Sequence, residues 1–165
     1  LPSELAVFGI LQERLHARAV GREEPLALLT GFRRGLGRTR DDRRRQTGKV
    51  GCVGFCYGGG VCNALAVAYP DLAASVPYYG RQPRAEDVPG IEAPLMIHYA
   101  GLDERINEGW EPYAAALEEH GKEFSVHFYP DVNHGFHNDT TPRYDPEAAE
   151  LAWKRTLAFF ETHLT

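Results

Sequence analysis

A cysteine bracketed by glycines, Gly54-Phe55-Cys56-Tyr57-Gly58, is the segment of this 165-residue chain best suited to nucleophilic chemistry. A nucleophile lifted out of a sheet needs a sharp strand-to-helix elbow. There its backbone takes a positive φ, and the residues two before and two after it approach closely, so both are small. The flanks agree: Lys49 to Val53 reads as a short buried strand, and Gly58 to Tyr69 carries Val61, Ala64, Leu65 and Ala68 at helical spacing until Pro70. Such an elbow raises the Cys56 sulfur above the sheet edge. It also turns the Tyr57 backbone N–H, close to the helix N-terminus, toward an incoming oxyanion. The alternative for Cys56 is a small buried hydrophobe in a glycine-rich turn.

A thiol nucleophile calls for a base, and the base for an orienting acid. Pro94 to Ala100 is an apolar strand running into Gly101-Leu102-Asp103-Glu104, which puts Asp103 just past a strand's carboxyl end. Loops at that end build the ligand crevice of an open parallel sheet. Phe124 to Tyr129 is another strand, and the loop after it, Pro130-Asp131-Val132-Asn133-His134-Gly135-Phe136, carries His134 to the same edge. Nucleophile, acid, histidine is the chain order of the α/β hydrolases. Asp103 alone could be a turn former. His134, His137 and Asp139 could form a weak metal cluster, but their spacing is not a zinc signature and the loop lacks thiolates.

Four segments together carry a family resemblance. They are Gly51 to Gly60, Val76-Pro77-Tyr78-Tyr79-Gly80, His98-Tyr99-Ala100-Gly101-Leu102-Asp103, and Tyr129 to Phe136. From about Gly48 to the C-terminus the chain resembles the dienelactone hydrolases, or carboxymethylenebutenolidases. The resemblance implies an α/β hydrolase with a Cys-His-Asp triad that opens an unsaturated lactone without metal or organic cofactor. It assigns those roles to Cys56, His134 and Asp103.

Two departures stand out. Characterised members carry an arginine a few residues after the catalytic histidine, which grips the substrate carboxylate; the fourth residue after His134 here is Asn138. Arg143 is near but not aligned, and Arg81, after the strand ending at Tyr79-Gly80, is a second candidate anion clamp. The family also places several strands before the elbow, which bring a second oxyanion donor and a glutamate near the thiol. Here Ser3 to Val20 and Pro25 to Leu36 read instead as two helices, with no candidate for either group.

Charge divides the chain in the same way. Residues 1–50 hold eleven Lys and Arg against six Asp and Glu, a net of +5, whereas residues 51–165 hold seven against seventeen, a net of −10. The arginine-rich stretch from Arg33 to Arg45 lacks interleaved aromatics and fits a solvated helix end and linker, so no nucleic-acid partner is expected. Residues 1–48 are therefore expected to be a helical basic segment and residues 49–165 an α/β domain. The chain opens on Leu1 rather than methionine, as a fragment or a processed form would.

The remaining elements complete the map. Strands are expected near 49–55, 73–79, 94–100 and 124–129, with a proline-rich loop from Arg81 to Ala93. Helices are expected at 108–120, with Trp110, Tyr113, Ala114 and Leu117 on one face, and at 145–163. Alternating strands and helices argue for a parallel sheet with helices on its faces; the resemblance implies an α/β-hydrolase-type sheet, here without the usual N-terminal strands. Such a sheet has an uncovered edge, which could pair with a second copy of the chain.

At 43% hydrophobic residues, with no apolar run near the roughly 20 a membrane span needs and a charged N-terminus unlike a signal peptide, the chain reads as a cytoplasmic protein without a membrane partner. Three cysteines with no pairing pattern fit that compartment; Cys52 and Cys62 are expected to pack rather than react. The function these readings favour is hydrolysis of small esters or lactones through a thioester on Cys56. A general carboxylesterase or thioesterase, a non-catalytic association module and a redox-sensing Cys56 are the alternatives.

Overall fold

The computed structural model describes residues 48–165, so the helices expected at 3–20 and 25–36, and the basic segment they belong to, lie outside the described residues. Within them the four expected strands form as β1 (Gly51–Phe55), β2 (Ala74–Tyr78), β3 (Leu95–Ala100) and β4 (Phe124–Tyr129). They make one sheet in the order β1-β2-β3-β4, every pairing parallel. The helices are α1 (Tyr57–Ala68), a single turn α2 (Glu104–Asn107), α3 (Trp110–Glu119) and α4 (Pro146–Leu164). The stretch expected to be loop from Arg81 to Ala93 contains a 3₁₀ segment, Ala85–Gly90, around Pro89.

Period-two alternation sends the side chains of the central strands β2 and β3 to two buried faces, as a parallel sheet requires, while the edge strand β4 leaves Phe128 exposed. Val53, Val76, Tyr78 and Ala100 pack with Ala149, Ala152 and Phe160 of α4 on one face. Leu95, Ile97 and Tyr99 pack with Ala66 of α1 and with Tyr113, Ala116 and Leu117 of α3 on the other. Helix α4 begins where its sequence says it should: the Asp145 carboxylate accepts from the Ala148 N–H at 2.8 Å, and Pro146 occupies the first turn.

On the α4 face a row of rings crosses the sheet, from the last residues of β1 and β2 to positions two residues before the ends of β3 and β4. Register aligns Phe55 with Tyr78, Tyr78 with His98 and His98 with His127, and the ring centroids are 4.6, 4.3 and 5.5 Å apart in turn. His98 is fully buried, yet each ring nitrogen is satisfied. Thr156 donates its one hydroxyl proton to the Ala152 carbonyl at 3.0 Å, so it accepts from the Tyr78 hydroxyl at 2.6 Å and from His98 Nε2–H at 3.2 Å. Nδ1 of His98 then accepts from the Tyr129 hydroxyl at 2.9 Å, whose oxygen accepts a hydrogen bond from the Arg155 guanidinium at 3.1 Å. The network closes only with a neutral imidazole. Burial accordingly pushes the His98 pKa down to about 2, with His127 and Arg155 adding to the shift.

Cys52 and Cys62 correct an expectation. They form a disulfide that joins β1 to α1, their Cα atoms 5.7 Å apart. Strand and helix run back to back through the elbow, which brings positions ten apart in sequence face to face at ordinary bridging distance. The compartment argument from unpaired cysteines therefore falls away. No helix among the described residues is long and apolar enough to cross a membrane.

Candidate active site

Cys56 stands between β1 and α1 with φ 54° and ψ −116°, the strained conformation expected of an elbow nucleophile. Two features hold it there. Its N–H donates to the Tyr78 carbonyl at 3.1 Å, fastening the elbow to the end of β2. At position 54 only glycine fits, because a Cβ would lie 2.2 Å from the Gly58 carbonyl oxygen. The contact is one-sided: a Cβ on Gly58 would meet nothing within 4 Å. Helix α1 has no side-chain cap, and its first internal bond runs from the Gly60 N–H to the Cys56 carbonyl at 3.2 Å. The Tyr57 N–H precedes that bond, among the groups a helix leaves for ligands. The Tyr57 side chain itself is 64% exposed beside the thiol.

Asp103 and His134 come from the loops after β3 and β4, and backbone bonds tie those loops together. Gly101 N–H donates to the Tyr129 carbonyl at 2.7 Å, and Leu102 N–H to the Val132 carbonyl at 3.0 Å. The side chains meet at their tips, with Asp103 Oδ2 2.5 Å from His134 Nδ1. The carboxylate is 6% exposed and the imidazole 20%, so the pair is shielded on the acid side and open on the base side. With Nδ1 held by the acid, Nε2 is the nitrogen left to exchange a proton.

His137, three positions on, meets different surroundings. Its ring stacks on Phe55 at 4.8 Å and lies 5.9 Å from Trp153, and burial lowers its pKa, against a smaller opposing effect of Asp139. Among the described residues no cluster of His, Cys, Asp and Glu has the arrangement of a metal site.

The arginine candidates are both exposed at this end of the sheet. The Arg81 backbone packs on Gly60 at the start of α1, and its carbonyl accepts from the Asn63 amide at 2.9 Å. The Arg143 charge reaches the buried Tyr79 phenol and opposes the rise in its pKa. Asn138, the fourth residue after His134, is committed to its own turn: its Oδ1 accepts from the Thr140 N–H at 3.0 Å and the Thr140 hydroxyl at 2.7 Å. Sequence reasoning missed Tyr79, which lies against the His134 ring at 4.9 Å and within electrostatic reach of Cys56. Its signals in the sequence were its place directly after an apolar strand and within the Val76 to Gly80 segment of the family resemblance.

Comparison with known proteins agrees with this architecture. The family model described as "Dienelactone hydrolase family" matches residues 13–164, beginning upstream of the elbow strand. Carboxymethylenebutenolidase 1 of Cupriavidus pinatubonensis is 37% identical over 116 residues, which cover 67% of this chain and 47% of that protein. Protein usf of Aquifex pyrophilus is 38% identical over 121 residues, covering 71% of this chain and 52% of that one. The chain thus spans about half the length of these curated relatives. Among solved structures, the dienelactone hydrolase of Anabaena variabilis superposes with a TM-score of 0.56 at 23% identity, covering 71% of this chain and 50% of its own, a likeness of fold. On the match of the family model to most of its length, the chain belongs to the dienelactone hydrolase family.

Proposed function

We propose that this chain hydrolyses small activated esters or lactones, of the dienelactone type, through a covalent thioester on Cys56. The observation that carries the reading is the Asp103–His134 pair at 2.5 Å, held at the sheet end that also bears the strained Cys56 elbow. In this mechanism His134 Nε2 takes the thiol proton, and Asp103 stabilises the imidazolium through Nδ1. The thiolate attacks the carbonyl carbon, and the Tyr57 N–H at the open start of α1 holds the oxyanion. The alkoxide leaves with the proton from His134. Water, deprotonated by the same nitrogen, then cleaves the thioester to acid and restores the thiol.

Arg143 is the better placed of the two arginines to attract a substrate carboxylate, since its charge already acts on the Tyr79 phenol; Arg81 is the alternative clamp. A thiolate attacks readily but forms a thioester that must still turn over, which favours strained or vinylogous lactones over amides.

A second reading rests on length. The chain spans about half of its relatives, and β1, like β4, is an edge strand of the sheet among the described residues, so the protein is alternatively a weak hydrolase that associates through the β1 edge.

Hydrolysis of an activated aryl ester and an unsaturated lactone by folded His134→Ala and His137→Ala variants tests the main reading. His134→Ala is expected to lose about 10³-fold or more in kcat/KM, and His137→Ala less than tenfold. Equal losses would mean that the base is misassigned.

A further inference from the structure

Tyr79 follows β2 directly and does no chemistry in the mechanism above, yet its placement is tightly constrained. Its backbone has φ +35°, a region that non-glycine residues adopt only when the surroundings enforce it. The enforcing contacts are visible. Its N–H donates to the His98 carbonyl at 2.7 Å, while the preceding carbonyl, that of Tyr78, accepts from the Cys56 N–H. The following residue, Gly80, presses so closely on α1 that a Cβ would stand 2.2 Å from the Gly59 carbonyl carbon. The elbow therefore fixes both neighbours of Tyr79.

The side chain reaches the opposite way. The ring is 1% exposed, lies 4.9 Å from His134 at 55°, and meets Phe136 edge-on at 5.4 Å. Its hydroxyl lies close enough to the His137 backbone for that N–H to act on it, and burial raises its pKa well above the usual phenol range. The phenol thus stays protonated and neutral, with its oxygen offered to the His137 N–H.

We infer that Tyr79 is the positioning residue that couples the Cys56 elbow to the histidine loop: its backbone is locked to the elbow, its ring supports one face of His134, and its hydroxyl anchors the loop at His137. This rests on the reading of Cys56 and His134 as nucleophile and base. Without the hydroxyl anchor the loop gains freedom three residues from His134, and the imidazole spends less time aligned between Asp103 and the thiol. Loss of the tether should therefore lower reactivity without removing any reacting group.

The test uses the rate of Cys56 alkylation by iodoacetamide from pH 5 to 9 in wild type, Tyr79→Phe and His134→Ala, read by peptide mass spectrometry. It does not depend on turnover. The charged and titratable groups facing the pair are Asp103, Tyr79, His137 and Arg143, and all but the one substituted are common to the three proteins. If His134 activates the thiol, His134→Ala loses the wild-type reactivity below pH 7; an unchanged profile there overturns the triad reading itself. Given that loss, Tyr79→Phe is expected to fall about three- to tenfold at pH 6, with its profile moved toward that of His134→Ala. A Tyr79→Phe profile identical to wild type, even with a lowered melting temperature, would overturn the positioning role and leave the triad standing. Amide exchange in the unsubstituted protein gives an independent reading: the His137 N–H is expected to exchange at least tenfold more slowly than an open loop amide, and exchange at the open rate would also overturn the role.

Discussion

Gly54 and Gly58 look equivalent in sequence, one on each side of Cys56, but only one of them carries the steric argument. A Cβ at 54 would meet the Gly58 carbonyl oxygen at 2.2 Å and its carbon at 2.4 Å, backbone atoms that cannot swing aside, whereas a Cβ at 58 would enter open space. Gly54→Ala is therefore expected to destabilise the protein by about 2–4 kcal/mol and to blunt Cys56 reactivity. Gly58→Ala, at a helix position where alanine is favoured by about 0.5–1 kcal/mol, should be neutral or stabilising. Urea titration of both variants decides this, and equal destabilisation would mean that the elbow is held by something other than the 54–58 contact. The residues proposed to carry the chemistry stand out in the sequence because each sits where local rules place such groups: Cys56 between small residues, Asp103 and His134 just beyond apolar strands. Tyr79 was not legible, since its importance comes from contacts with residues 134, 136 and 137 that no local pattern announces.

At the scale of elements, the four strands and the three longer helices were readable because parallel strands buried on both faces are short apolar runs and the helices keep a periodic face. The single turn α2 and the 3₁₀ segment are too short for any period to register. The Cys52–Cys62 bridge and the Tyr78–Thr156–His98–Tyr129–Arg155 network escaped for another reason: both join elements whose adjacency exists only in the fold. That network makes stability depend on pH. His98 is held neutral with a pKa of about 2, below the roughly 6.5 of an unfolded histidine, so the unfolded chain binds more protons between those values. The stabilisation is fully present above about pH 6.5 and declines as pH falls below it, by up to about 1.4 kcal/mol per unit. His127 and His137, also shifted down by burial, act in the same direction. Urea denaturation between pH 7.5 and 5 should show this decline, and His98→Gln should flatten it in part. An unchanged slope in the variant would show that His98 is not the group responsible.

For the whole molecule, the governing fact is length: curated relatives are about twice as long as the segment they share with this chain. On the second reading, turnover is weak and the chain self-associates through the β1 edge, which sedimentation equilibrium alongside aryl-ester hydrolysis measures. A clean monomer with turnover comparable to a full-length relative would contradict that expectation. The central claim, that Cys56 is the nucleophile activated by His134 and Asp103, can be tested regardless of turnover rate. After incubation with p-nitrophenyl acetate and an acid quench, peptide mass spectrometry locates any acetyl group the protein has taken up. The account predicts acetyl on the Cys56 peptide in the wild type and its loss in His134→Ala. Acetylation at another residue, or p-nitrophenol release that persists in Cys56→Ala, would contradict it.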